Sequence, residues 1–459
     1  MMRSIFFFFC ICAGFFVSAQ TVDSVQLGFK EDLGYVKKYH PITKQAEMVM
    51  SVGQANLMKA RGGFDPKIAV DYATKEFKGT EYYDLLNTTF KIPTWYGIEL
   101  KGEFEQYSGE YLNAERNGVA LSLGRGSWIN ERMATVKKAK FFREQSKADR
   151  DLLVNQILFD ASLAYFNWLQ AYRNSLLFND FLENAKVRLE GVNKSANAGE
   201  IAAIDTVEAK IAVQNRALER EQANVVLRNA RLELSNFLWM GENIPMELQP
   251  GVVPELSLDV EIDQALEISG KPLDSFDLEN HPKLKSLGYK IDGLRVDKRL
   301  KTNKLLPKID VEYKFITETP EYLNSLETQN YKGGLNFELP LFLRKERGDL
   351  KLAKLKLRDA QFELDNAEVQ IQNKVLAIYN ELASFENQNI LIDDIVASYE
   401  ALLAAEERKF SFGESSLFLI NSRESKLIDA VLKQNQVENK YFTAKAKLFN
   451  SLAVNPENL

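Results

Sequence analysis

The chain is poor in the residues that small reactive proteins depend on. It has two cysteines in 459 residues, Cys10 and Cys12, and two histidines, His40 and His281. Both cysteines sit in the apolar run Ile5–Phe16, which follows Arg3 and closes with Val17-Ser18-Ala19. That is the layout of a secretory signal peptide, residues 1–19, cut after Ala19. A bacterial lipoprotein signal would place a Leu-x-Gly/Ala type box before its cysteine, and neither cysteine has one. The mature chain therefore has no thiol, which excludes disulfides, zinc-thiolate sites and thiol nucleophiles. Beyond the signal there is no run of 18 apolar residues, so no transmembrane helix is expected. No Gly-rich phosphate loop followed by Lys-Ser/Thr occurs, which excludes ATP hydrolysis by the P-loop route. Positive charge is not in excess: the whole chain has 58 Lys and Arg against 64 Asp and Glu, and losing Arg3 makes the balance 57 against 64. Nucleic acid is not an expected partner.

What the chain has instead is a duplication. Pro66-Lys67-Ile68-Ala69-Val70-Asp71-Tyr72 returns as Pro307-Lys308-Ile309-Asp310-Val311-Glu312-Tyr313, and His40-Pro41 returns as His281-Pro282, both 241 positions on. Each copy has an alternating strand. Ile68, Val70 and Tyr72 face one way in the first, Ile309, Val311, Tyr313 and Phe315 in the second, with charged or small residues between them. In an exported chain such a strand either packs on a core or turns its apolar face to lipid in an outer-membrane barrel. Return strands are expected at Val119, Leu121 and Leu123, and at Leu335, Phe337, Leu339 and Leu341. Tyr72 and Leu123 stand 51 positions apart, Tyr313 and Leu339 only 26, so the first copy has 25 extra residues around Tyr82–Tyr111. These either lengthen a hairpin or add strands, and their expected place is the extracellular side.

Each return strand leads into a long helical stretch. From Arg344 to Phe410 there is no proline and a single glycine, Gly348; as helix this reaches about 100 Å. Ile371, Val375, Ile378, Leu382, Phe385, Asn389, Ile392, Val396, Tyr399 and Leu403 step by four and three, a coiled-coil seam with one polar member. Leu158, Ala161, Tyr165, Trp168 and Tyr172 answer in the first copy. Gly199 and Gly413 break the rods, and second helices return over about 203–238 and 417–452. The domain reading is a first repeat over 20–240, a Pro-rich connector over 241–280 with a short helix near Val260–Ile268, and a second repeat over 281–459. About four strands per chain cannot close an outer-membrane barrel of eight or more, so the barrel reading requires several chains.

His40-Pro41, His281-Pro282, the strand-opening Pro66 and Pro307, and Leu339-Pro340-Leu341-Phe342 together resemble the TolC-like outer membrane efflux protein family, over essentially the whole mature chain. The resemblance implies a mixed α/β membrane protein, mainly α: long coiled-coil helical hairpins forming a periplasmic tunnel, joined to a twelve-stranded transmembrane β-barrel shared by a homotrimer. It implies a channel in the outer membrane of a Gram-negative bacterium, the exit duct of a tripartite efflux or type I secretion system, without cofactor. Its partners would be a periplasmic adaptor protein and, through it, an inner-membrane transporter. The tips that meet the adaptor correspond to Gly199, Glu200 and Ile201, and to Gly413, Glu414 and Ser415. Well-known members carry gate aspartates where this chain has Leu419 and Ser422, so the gate candidates are Asp205, Asn421 and Glu424 beside them, with Leu419 able to gate by dewetting.

The two histidines are expected to cap helices rather than bind metal, Met48, Met50 and Met58 to pack rather than handle soft metals, and Asp393-Asp394 and Glu406-Glu407 to form a solvated face. The alternative from another class is a non-conducting coiled-coil structural protein of the periplasm or surface. An exported hydrolase ranks last, having no assembled catalytic constellation.

Overall fold

The computed structural model describes residues 25–108, 114–124, 128–269, 278–317, 329–456 and 459; the signal segment and Pro272 lie outside them. A short strand β1 (Val25–Leu27) leads to α1 (Phe29–Tyr39) and α2 (Pro41–Arg61). The two helices divide at His40-Pro41, because Pro41 cannot donate the backbone bond that would continue α1. His40 instead caps α2: its Nδ1 accepts from the Ile42 amide at 3.2 Å, with Pro41 in the first turn. His281 does the same for α6 (Pro282–Asn303), accepting from Lys283 at 3.1 Å. The duplicated dipeptide is thus a duplicated helix start.

Between α2 and the first rod lie β2 (Lys67–Phe77), β3 (Thr80–Pro93), β4 (Ile98–Ser108) and β5 (Ala114–Gly124). The second copy supplies β9 (Lys308–Thr317) and β10 (Tyr331–Glu338). All six form one antiparallel sheet, ordered β10-β9-β5-β4-β3-β2. The expected four strands per chain are therefore six: the 25 extra residues add a complete hairpin, β3–β4. Nor is the addition an extracellular loop. Lys78 and Gly79, both at positive φ, turn β2 into β3 at the far end. The next turn, Thr94–Gly97, is back at the helix end, where Trp95 stacks on Phe64 at 5.3 Å and its carbonyl accepts from Asn130, the cap of the first rod. β10 also stops at Glu338, earlier than expected, because Pro340 ends the ladder and Leu339 and Leu341 lie beyond it.

The first rod, α3 (Glu131–Asn197, 67 residues), returns through α4 (Ala203–Ser235), and the second, α7 (Arg344–Ser411, 68 residues), through α8 (Leu417–Leu452). Val375, Ile378, Ile392, Val396 and Leu403 of the seam are buried and the other five half-buried, while most positions between them are exposed. The connector holds β6 (Trp239–Met240), β7 (Ile244–Pro245), β8 (Val252–Pro254) and α5 (Asp259–Ala265). β8 pairs in parallel with β1. Midway along the rods the main core gathers Phe29, Tyr165, Phe166, Trp168, Leu258, Ile262, Phe442 and Phe449. The Tyr165 hydroxyl donates to the Leu27 carbonyl at 2.7 Å and accepts from the Glu255 amide at 3.2 Å, so one aromatic ties β1 and the end of β8 to the first rod.

Candidate functional site

Both hairpin tips are built alike. At the end of α3, Gly199 donates to Ala196 and Glu200 to Ser195; at the end of α7, Gly413 donates to Phe410 and Glu414 to Lys409. Each is a six-to-one plus five-to-two closure around a left-handed residue, with Gly199 at φ 78° and Gly413 at φ 76°. Glu200 and Glu414 are exposed, Ile201 packs with Val192, Ala209 and Leu417, and Ser415 donates to Glu406 at 2.5 Å. Ser416 then caps α8.

The gate candidates separate. Leu419 and Ser422 are on the exposed face of α8, and Asp205 is half-buried in the first turn of α4. Asn421 donates to Glu208 of α4 at 3.2 Å. Glu424 does not face solvent: its side chain is 2% exposed. It lies between Arg216 of α4, with Nε to Oε1 at 3.0 Å, and Arg188 of α3, with Nη1 to Oε2 at 2.7 Å. Arg216 also reaches Glu219 and Ser425, and Arg188 reaches Glu407 of α7. Four helices of the two hairpins thus meet at one buried charge cluster just above the tips. Reading the chain alone missed Arg188 and Arg216. The signal was present, since Arg216 interrupts the seven-residue series Ala209, Ala223, Ala230, and Glu424 interrupts Leu417, Ile420, Leu427, and a charge on a buried stripe calls for a partner.

The sheet is the second functional surface. Ile68, Val70, Tyr72, Phe90, Leu100, Leu335 and Phe337 are exposed on one face. The other carries Lys101–Glu312 at 3.0 Å, Lys314–Glu103 at 2.6 Å and Lys308–Asp310 at 3.0 Å. The added hairpin obeys the same division: Phe90 pairs Ile68, and Leu100 shares its row with Tyr313 through the Val119 position. Eleven residues of strand span about 37 Å, or about 28 Å when tilted by ~40°, close to the height of a lipid-facing band. Tyr96, Trp128 and Phe342 are exposed at the helix end of the sheet, as aromatics at a membrane interface are.

Perturbed ionisation lies elsewhere. Asp32, in the main core with neither carboxylate oxygen hydrogen-bonded, is pushed up to about 8 by burial and by the neighbouring Glu31. His40 and His281 are held below the usual imidazole range by burial, against hydrogen bonds to the Asn236 and Ser451 carbonyls. Among the described residues no three His, Cys, Asp or Glu side chains are grouped to hold a metal ion, and no helix is long and apolar enough to cross a membrane.

A sheet apolar on one exposed face and charged on the other is thus continuous with rods of about 100 Å. Residues 277–454 match the model of the outer membrane efflux protein family, and the whole chain shares the fold of solved TolC-like outer membrane channels. Among solved structures, the open-state MtrE outer membrane channel of Neisseria gonorrhoeae superposes with a TM-score of 0.67 at 13% identity, covering 95% of this chain and 93% of that one. The CmeC outer membrane channel of Campylobacter jejuni gives 0.65 at 14%, over 93% and 85%. The outer membrane protein VceC of Vibrio cholerae gives 0.64 at 12%, over 93% and 96%. No curated protein sequence matches significantly.

Proposed function

We propose that three copies of this chain close one barrel in the outer membrane of a Gram-negative bacterium and act as the passive exit duct of a tripartite efflux or type I secretion system. The observation that carries this is the sheet, whose lipid-directed face ends in two unpaired edges, β2 and β10. In a bilayer each unsatisfied backbone group costs several kcal/mol. β2 and β10 run antiparallel to one another in the sheet order, so the β10 edge of one chain offers the right partner to the β2 edge of the next. Three six-stranded sheets make eighteen strands rather than twelve, within the range that leaves an aqueous lumen.

Below the barrel the two repeats, joined by the 241–280 connector, contribute paired hairpins to a periplasmic tunnel. The exposed tip residues Gly199, Glu200, Gly413 and Glu414 meet the adaptor, which links the duct to an inner-membrane transporter. Leu419, Ser422 and Asp205 stand where neighbouring chains converge, and the Glu424 cluster holds each chain's hairpins together behind them. Purified protein in a planar bilayer tests the reading: single-channel steps from a trimer are expected, and well-folded trimer without steps would make the chain a scaffold.

A further inference from the structure

One register row of the sheet is made of lysine. Lys67 of β2 pairs with Lys91 of β3, Lys91 with Lys101 of β4, Lys101 with Gly118 of β5, Gly118 with Lys314 of β9, and Lys314 with Lys332 of β10. Residues directly opposite share a face, so the five lysines line the charged face of the sheet together. The added hairpin supplies two of them. Like charges set opposite one another on neighbouring strands are destabilising, so a row of this kind is costly unless anions offset it.

The protein offsets only part of the row. Lys101 is held by Glu312, and Lys314 by Glu103 and Glu312. That reach across β5 passes over small residues, Gly118 and Ala120. Lys67, Lys91 and Lys332 are exposed and have no ion pair among the described residues. The carboxylates nearest them in register are already engaged: Glu99, opposite Pro93, by Arg132 at 2.7 Å; Glu103, opposite Thr89, by Lys314; and Glu312, in the row of Gly334, by Lys101 and Lys314. The next ladder positions beside Lys67 and Lys91 on the same face are Ala69 and Thr89, which bring no charge, and Asp65, two residues before Lys67, lies outside the ladder.

From this we infer that the barrel lumen carries a lysine belt that binds and favours the passage of soluble polyanions, solutes bearing several phosphate, sulfate or carboxylate groups. The inference rests on the shared-barrel reading. In a trimer the belt holds fifteen lysines, five from each chain. Lys67 and Lys332 lie on the two edge strands. Rings of Lys and Arg select anions in pores by the same electrostatics, and in a water-filled lumen the attraction is screened over about 10 Å at 0.1 M salt.

The test is calorimetric titration of inositol hexakisphosphate into detergent-purified trimer at 50 and 300 mM NaCl. The belt is reached from the open outer mouth, so the titration reads it whether or not the tips are closed. Wild type is expected to bind, more weakly at high salt. K67Q/K91Q/K332Q should weaken binding at least tenfold at low salt, and K67R/K91R/K332R should retain it. K91Q, away from the seams, should weaken binding measurably in an undisturbed trimer even if the triple Gln variant assembles poorly. No binding by wild type, equal binding by K91Q, or loss of binding in the Arg variant would overturn the inference. Single-channel steps recorded on the same preparation report separately on the duct: steps without polyanion binding reject the belt alone, and a trimer without steps rejects the duct.

Discussion

Replacing Glu424 by Gln should open the tips. Glu424 is enclosed between Arg188 and Arg216, whose side chains are 13% and 9% exposed, and its own is 2% exposed. A pair so enclosed gains little net stability over an apolar substitute, but removing one member leaves the other charged and desolvated, at a cost of about 3–5 kcal/mol. Here one carboxylate serves two guanidiniums, and Glu407 and Glu219 offset only part of what remains. The packing of α8 on α3 and α4 seen here should therefore lose about 3 kcal/mol per chain, whereas a splayed tip, where water reaches the arginines, loses less. At about 1.4 kcal/mol per tenfold, the closed-to-open ratio falls by about 10² for each chain. Planar-bilayer recording should show a higher open probability in E424Q than in wild type. R188M/R216M/E424M, which removes all three charges and keeps the volume, should close again. Equal open probability in E424Q and wild type, or an apolar triple variant as open as E424Q, would refute the assignment of the clasp to closure.

Three further outcomes are expected. Deleting residues 78–108 removes β3 and β4 and leaves β2 to pair with β5, so the trimer should close with twelve strands and about two-thirds of the diameter; polymer-exclusion sizing from the outer side should show a smaller cut-off, and an unchanged one would mean that the hairpin is not in the barrel wall. Asp32 keeps its proton in the fold up to about pH 8 and releases it near 3.8 when unfolded, so it lowers stability progressively as pH rises from 4 to 8, by about 4 kcal/mol at pH 7. Asp32→Asn should match wild type in thermal melting at pH 4 and melt higher at pH 8; parallel melting curves across that range would contradict the raised ionisation. Gly413→Ala and Gly199→Ala meet no atom within 4 Å of the added carbon but keep a left-handed backbone, so each should cost about 1–2 kcal/mol and leave tip packing otherwise intact, read as a small drop in melting temperature; no drop would show that the turn can refold around alanine.

The local half of this protein is legible in the chain alone. Heptad stepping marked the rods and their seam, glycines marked both tips, alternation marked the strands, and the His-Pro pairs marked where helices begin, because each depends on residues a few positions apart. Tertiary structure decided what depends on distant residues. The added segment alternates like its neighbours, so sequence could not separate a longer hairpin from two new strands; the stacking of Trp95 on Phe64 and the Asn130 bond to its carbonyl bring the turn back to the helix end. Glu424 looked like a polar gate candidate and is a buried clasp, because its two arginines come from helices more than 200 positions away. The lysine row is the clearest case. Its members are scattered from 67 to 332, each unremarkable in its own segment, and only strand register sets them side by side.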